Sequence, residues 1–98
     1  MTSVRSIRHE ILNVSPGQVY SAGFGCGPDE VASSPAVQQF EGTTPQQRET
    51  GLKWSASDFP ATGSGWTGAA PNGYMFTAEA AGVQGDTLRF YLTCTNFS

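Results

Sequence analysis

The closing segment 87–95 reads Thr-Leu-Arg-Phe-Tyr-Leu-Thr-Cys-Thr, and its alternation is unbroken. Leu88, Phe90, Leu92 and Cys94 fall on one side, and Thr87, Arg89, Tyr91, Thr93 and Thr95 on the other. A period of two in aromatic and β-branched residues marks a strand with one buried face. Such a strand needs a second apolar layer over its bulky side. Segment 19–26 offers one, because Tyr20, Ala22, Phe24 and Cys26 alternate there with Val19, Ser21, Gly23 and Gly25.

The rest of the chain reads as short strands divided by turn residues. Segment 7–14 carries Ile7, His9 and Ile11 at a period of two and is followed by Ser15-Pro16-Gly17, where proline presets φ and glycine accepts a positive φ. The expected result is a hairpin over 7–26. Gly27-Pro28-Asp29-Glu30 turns the chain again, and short strands are expected over 31–34 and 36–41, separated by Pro35. Segment 52–59 sets Leu52, Trp54 and Ala56 against Lys53, Ser55 and Ser57. Segments 66–70 and 74–81 flank Pro71-Asn72-Gly73, and Asn-Gly is a strong hairpin signal.

Twelve Gly, six Pro and 20 Ser and Thr in 98 residues suit this pattern, and charged residues make up only 13%. The chain is too short for two self-sufficient cores, so 1–98 is expected to be a single β domain. The expected architecture is all-β: a small antiparallel β-sandwich or barrel of about seven strands. Segment 42–51, polar throughout, reads as a loop that is mobile or orders only against a partner; Thr43, Thr44, Gln46, Gln47, Arg48 and Glu49 are its candidate partner-binding residues.

Cys26 and Cys94 each end the bulky side of a strand and both point inward on this reading. If the strands lie close, the thiols join and close a loop of about 70 residues, worth on the order of 4 kcal/mol. The alternative is two buried free thiols acting as small hydrophobes, as a reducing compartment would enforce.

Five basic residues, Lys53 the single lysine among them, are too few to neutralise the phosphates that a nucleic-acid binder contacts, so nucleic acid is not an expected partner. No apolar run approaches the roughly 18 to 20 residues of a bilayer span, and membrane insertion is not expected. Residues 1–13 carry Arg5, Arg8, His9 and Glu10 where an export leader would be apolar. Two settings fit: a mature secreted domain, or a virion component that leaves the cell by another route.

Ser15-Pro16-Gly17-Gln18-Val19, the strand into Cys26 with Gly27-Pro28-Asp29-Glu30-Val31, Ser57-Asp58-Phe59-Pro60, Gly65-Trp66-Thr67, Asn72 and the last strand into Cys94 form a framework over most of the chain. In these positions it resembles the small disulfide-linked β-sandwich domains of bacterial secreted and surface proteins and of bacteriophage virions. The resemblance implies an all-β architecture and an extracellular or virion setting, and it carries across no catalytic residues.

Catalytic chemistry finds few candidates. His9, the single histidine, lies in a charged cluster and reads as a solvated or interface side chain, and both cysteines sit on core faces. The cysteines and His9 lack the close ligand pairs of a structural zinc site, and Asp29-Glu30 are neighbours on a turn that point apart. No enzyme activity, metal or other cofactor is expected.

Trp54, Trp66 and Tyr74 could stack on a sugar, with Asn72 supplying hydrogen bonds; the competing reading has both tryptophans filling the space between sheets. The leading functional expectation is a non-enzymatic structural protein of a virion, a capsid-decoration or tail-associated subunit. It would bind other protein subunits or itself as a homo-oligomer through polar strand edges and the 42–51 loop. The alternative is a secreted carbohydrate-binding or adhesion module. An enzyme inhibitor presenting 43–50 as its loop ranks behind both.

Overall fold

A computed structural model describes residues 2–48, 51–59 and 71–97. These form β1 (Ser3–Val14), β2 (Val19–Gly25), β3 (Val31–Phe40), β4 (Lys53–Phe59), β5 (Gly73–Glu79) and β6 (Asp86–Asn96), with no helix among the described residues. Two three-stranded antiparallel sheets result, in the orders β1-β6-β3 and β2-β5-β4.

The last strand is the centre of its sheet, and its alternation is the core. Leu88, Phe90, Leu92 and Cys94 are fully buried. From the other sheet Phe76 of β5 meets Phe90 edge to face, with ring centroids 5.4 Å apart, and stacks on Phe24 of β2 at the same separation. Ala22 and Ala78 complete that layer. Such aromatic pairs contribute about 0.5–1.5 kcal/mol each beyond the area they bury.

Cys26 and Cys94 are joined in a disulfide with Cα atoms 5.7 Å apart, so the sheets are stapled where β2 ends. The turn beyond Cys26 is clamped from inside. Asn72, fully buried, donates both amide hydrogens, to the carbonyls of Gly27 at 2.7 Å and Glu30 at 2.9 Å. Gly73, next in sequence, tolerates no side chain, since a Cβ there would lie 2.8 Å from the Phe24 carbonyl oxygen.

Three expectations change. The hairpin over 7–26 does not form: β1 pairs with β6 and β2 with β5. The Ser15 turn is present, with Gln18 N–H donating to the Ser15 carbonyl at 3.2 Å, but it carries the chain from one sheet to the other. Gly17 N–H and the Gln18 carbonyl are engaged by Ala80, at 2.8 and 3.0 Å, which docks the turn on the end of β5.

Six strands are described where about seven were expected. Segments 31–34 and 36–41 merge into β3 across a bulge at Ser34-Pro35, and 66–70 lies outside the described residues. A proline is accommodated there because β3 is an edge strand.

The loop after β3 is ordered by the chain itself. Phe40 bridges to Gln47, Arg48 N–H donates to the Gln39 carbonyl at 2.9 Å, and Thr87 Oγ1 donates to the Gly42 carbonyl at 2.6 Å.

Candidate functional site

β1, the longest of the described strands, is exposed over most of its length. Ten of its residues pair with β6, yet among the described residues its other edge carries no strand. A free edge presents a row of unpaired main-chain donors and acceptors, and natural proteins usually blunt or cover it. The other edge strands are shorter or interrupted: β2 and β4 span seven residues each, and β3 is broken by its bulge and partly covered by the 41–48 loop. β1 runs straight from Ser3 to Ile11 before a bulge at Asn13, which takes φ 57°.

Its two faces differ. Ile7 and Ile11 point toward the core and are half-buried beside Leu92 and Leu88, with His9 between them near the rings of Phe24 and Phe90. Val4, Arg8, Glu10 and Leu12 lie on the outer face, where Val4 is 64% and Leu12 61% exposed. Arg89 of β6 donates to Glu10 at 3.0 Å, and its guanidinium also lies over the Phe40 ring, 4.2 Å from the centroid.

At the start of β1, Arg5 donates to both carboxylate oxygens of Glu30, at 2.9 and 2.7 Å. This bond, helped by the Gly27 amide and opposed by partial burial, pulls the Glu30 carboxyl down to about 2. The same pair raises the Arg5 guanidinium above its ordinary value. The edge strand is thereby tied to the turn beside the disulfide.

The residues singled out for sugar stacking are not brought together. Trp54 and Tyr74 share the inner face of their sheet, but Trp54 pairs with Ala78 and Tyr74 with Asp58, four residues apart along β5 or about 13 Å. Tyr74 is half-buried against Phe76, with ring centroids 6.4 Å apart. Asn72 spends its amide on the 27–30 turn. Trp66 lies outside the described residues. Trp54 is 41% exposed, and the open depression of about 380 Å³ at its position is lined from the other face of the sheet by Val19, Lys53, Ser55, Thr77 and Glu79.

The candidate partner loop divides in a similar way. Thr43, Thr44, Gln46 and Gln47 are exposed, with Thr44 Oγ1 donating to the Glu41 carbonyl at 2.7 Å. Arg48 turns inward onto Asp86, and Glu49 lies outside the described residues. Cys26 and Cys94 are spent in the disulfide, and no group of three metal-ligating side chains occurs among the described residues.

Sequence reading missed β1 as the exposed surface because it placed β2 on that edge. The one available signal was the density of charge at Arg5, Arg8, Glu10 in a chain with so few charges. Comparison with known proteins returns no match, whether to family models, to curated proteins or to solved structures.

Proposed function

We propose that this chain is a non-enzymatic subunit of an extracellular or virion assembly, a capsid-decoration or tail-associated protein that works by protein–protein contact. The observation that carries the reading is β1: a long, regular edge strand, open on one side among the described residues, on a domain made rigid by a disulfide and a stacked aromatic core. Binding at a sheet edge uses main-chain hydrogen bonds for affinity and alternate side chains for selectivity. The disulfide favours an oxidising compartment.

The test is particle-level. Size-exclusion and cross-linking are expected to show association of the chain with itself or with a capsid or tail assembly. A strict monomer without affinity for any such assembly overturns the proposal.

The carbohydrate-binding reading retains one observation, the 41% exposure of Trp54. Tryptophan fluorescence against a glycan panel tests it, and absence of quenching by every saccharide removes it.

A further inference from the structure

The segment Ile7-Arg8-His9-Glu10-Ile11 is symmetric about His9 except that the cation on one side is answered by an anion on the other. It lies in the regular part of β1, before the bulge, on the strand whose second edge is free among the described residues. Alternate residues of a strand turn their main-chain groups to the same side. A second antiparallel strand therefore pairs only in registers that match residues of like parity.

A second copy of this chain satisfies one such register. With a twofold axis through His9, Arg8 faces the partner subunit's Glu10, Glu10 faces the partner subunit's Arg8, and Ile7 faces the partner subunit's Ile11. The two neighbouring allowed registers, with the axis through Arg8 or through Glu10, set like charges directly opposite each other, which is unfavourable.

The rows already present in the sheet continue across that axis. Ile7 pairs with Leu92 and Ile11 with Leu88, so the inner row becomes Leu92, Ile7, then the partner subunit's Ile11 and the partner subunit's Leu88. On the outer face Arg89 holds Glu10 at 3.0 Å, while Arg8, 55% exposed, has its own Glu10 only at 3.7 Å. Pairing turns this into an alternating row of Arg89, Glu10 and the partner subunit's Arg8.

We infer that β1 is the self-pairing edge of a symmetric dimer, in which Ile7–Ile11 of two copies run antiparallel about His9 and join two three-stranded sheets into one of six. This rests on the reading of the chain as an assembling subunit and names its first partner. A twofold contact uses one self-complementary patch and closes, leaving no β1 edge free for open-ended growth.

The test is sedimentation of the full, oxidised chain at high micromolar concentration, with folding of each variant checked by circular dichroism. The wild type is expected to be dimeric. R8E and E10R each place two like-charge pairs at the axis, and each alone is expected to dimerise about tenfold more weakly or worse. An equimolar mixture restores opposite charges and is expected to recover the dimer as a heterodimer. H9C, in an otherwise native chain, is expected to form an intermolecular disulfide on mild oxidation.

A dimer indifferent to both charge variants overturns the β1 register while leaving the assembly reading in place. So does a monomer that still binds a capsid or tail particle. Failure of the mixture to recover, together with no H9C cross-link, overturns the register even if the charge variants unfold. A monomer that binds no particle overturns both readings.

Discussion

The guanidinium of Arg48 closes on the carboxylate of Asp86, a side chain only 1% exposed at the start of β6. The same carboxylate accepts from the Gln39 side-chain amide at 2.8 Å and from the Gly42 main-chain N–H at 3.2 Å, while Gln39 also bonds both main-chain groups of Ala81. Burial alone would push the Asp86 carboxyl up; the bonds from Arg48, Gln39 and Gly42 outweigh it and hold the group below its ordinary value. A polar loop and a turn are thus fastened to the core by one anion.

Removing that anion leaves the donors of Arg48, Gln39 and Gly42 without their shared acceptor. Asp86→Ala is expected to cost about 3 kcal/mol in urea unfolding, the range for breaking a buried charged network. It also releases Arg48, so trypsin, which cuts after arginine, is expected to cleave the folded variant at that loop much faster than the wild type. Equal stability and equal cleavage would show that the loop is held by other contacts.

The Cys26–Cys94 bond spans 68 residues and so constrains most of the unfolded chain. In the chain-entropy account a loop of this size contributes about 4 kcal/mol, a large share of the total stability of a small domain. Replacing both cysteines by alanine is expected to lower the unfolding free energy by about that amount. Reducing agent is expected to abolish the difference between the two proteins, which is the measurement that checks it.

Glu30 supplies an acid-dependent contribution whose sign is set by its downward shift. The folded carboxyl titrates at about 2, against an ordinary 4.5, so the unfolded chain takes up its proton first as pH falls. The stabilisation is therefore complete above about pH 5, declines between 4.5 and 2, and is gone below. Urea unfolding of the wild type and Glu30→Gln across this range is expected to show a constant gap at neutral pH that closes toward pH 2. Since Arg5 is largely exposed, added salt is expected to narrow the gap at neutral pH.

The buried faces of β6 and β2 were legible in the sequence because alternation alone decides which side of a strand is apolar. Strand pairing was not: the turn at Ser15-Pro16-Gly17 has the chemistry of a hairpin, and nothing local records that Gly17 and Gln18 bond Ala80 across the domain. Asn72 shows the same limit at the level of a side chain. Its amide could serve a ligand or the fold, and only the positions of Gly27 and Glu30 assign it to the fold. The edge character of β1 depends on which strands lie beside it, a relation between distant segments that no period reveals.

Bulges are the other feature that a count of alternate residues cannot see. In β3 the inward residues are Ala32 before Ser34 and Val37 and Gln39 after it, a change of parity made by one extra residue between the Ser33–Thr93 and Ala36–Tyr91 pairs. Ser34 takes φ 52°, in the left-handed region where a Cβ is crowded, and its side chain is exposed. Glycine relieves that strain but adds freedom to the unfolded chain, and the first effect is the larger at a positive φ. Ser34→Gly is therefore expected to stabilise the domain by about 0.5–1 kcal/mol, and Ser34→Val to destabilise it by more than that, since branching at Cβ makes the same conformation costlier. Thermal unfolding of the two variants checks this ordering, and a Gly variant less stable than the wild type would mean that the bulge is not where strain resides.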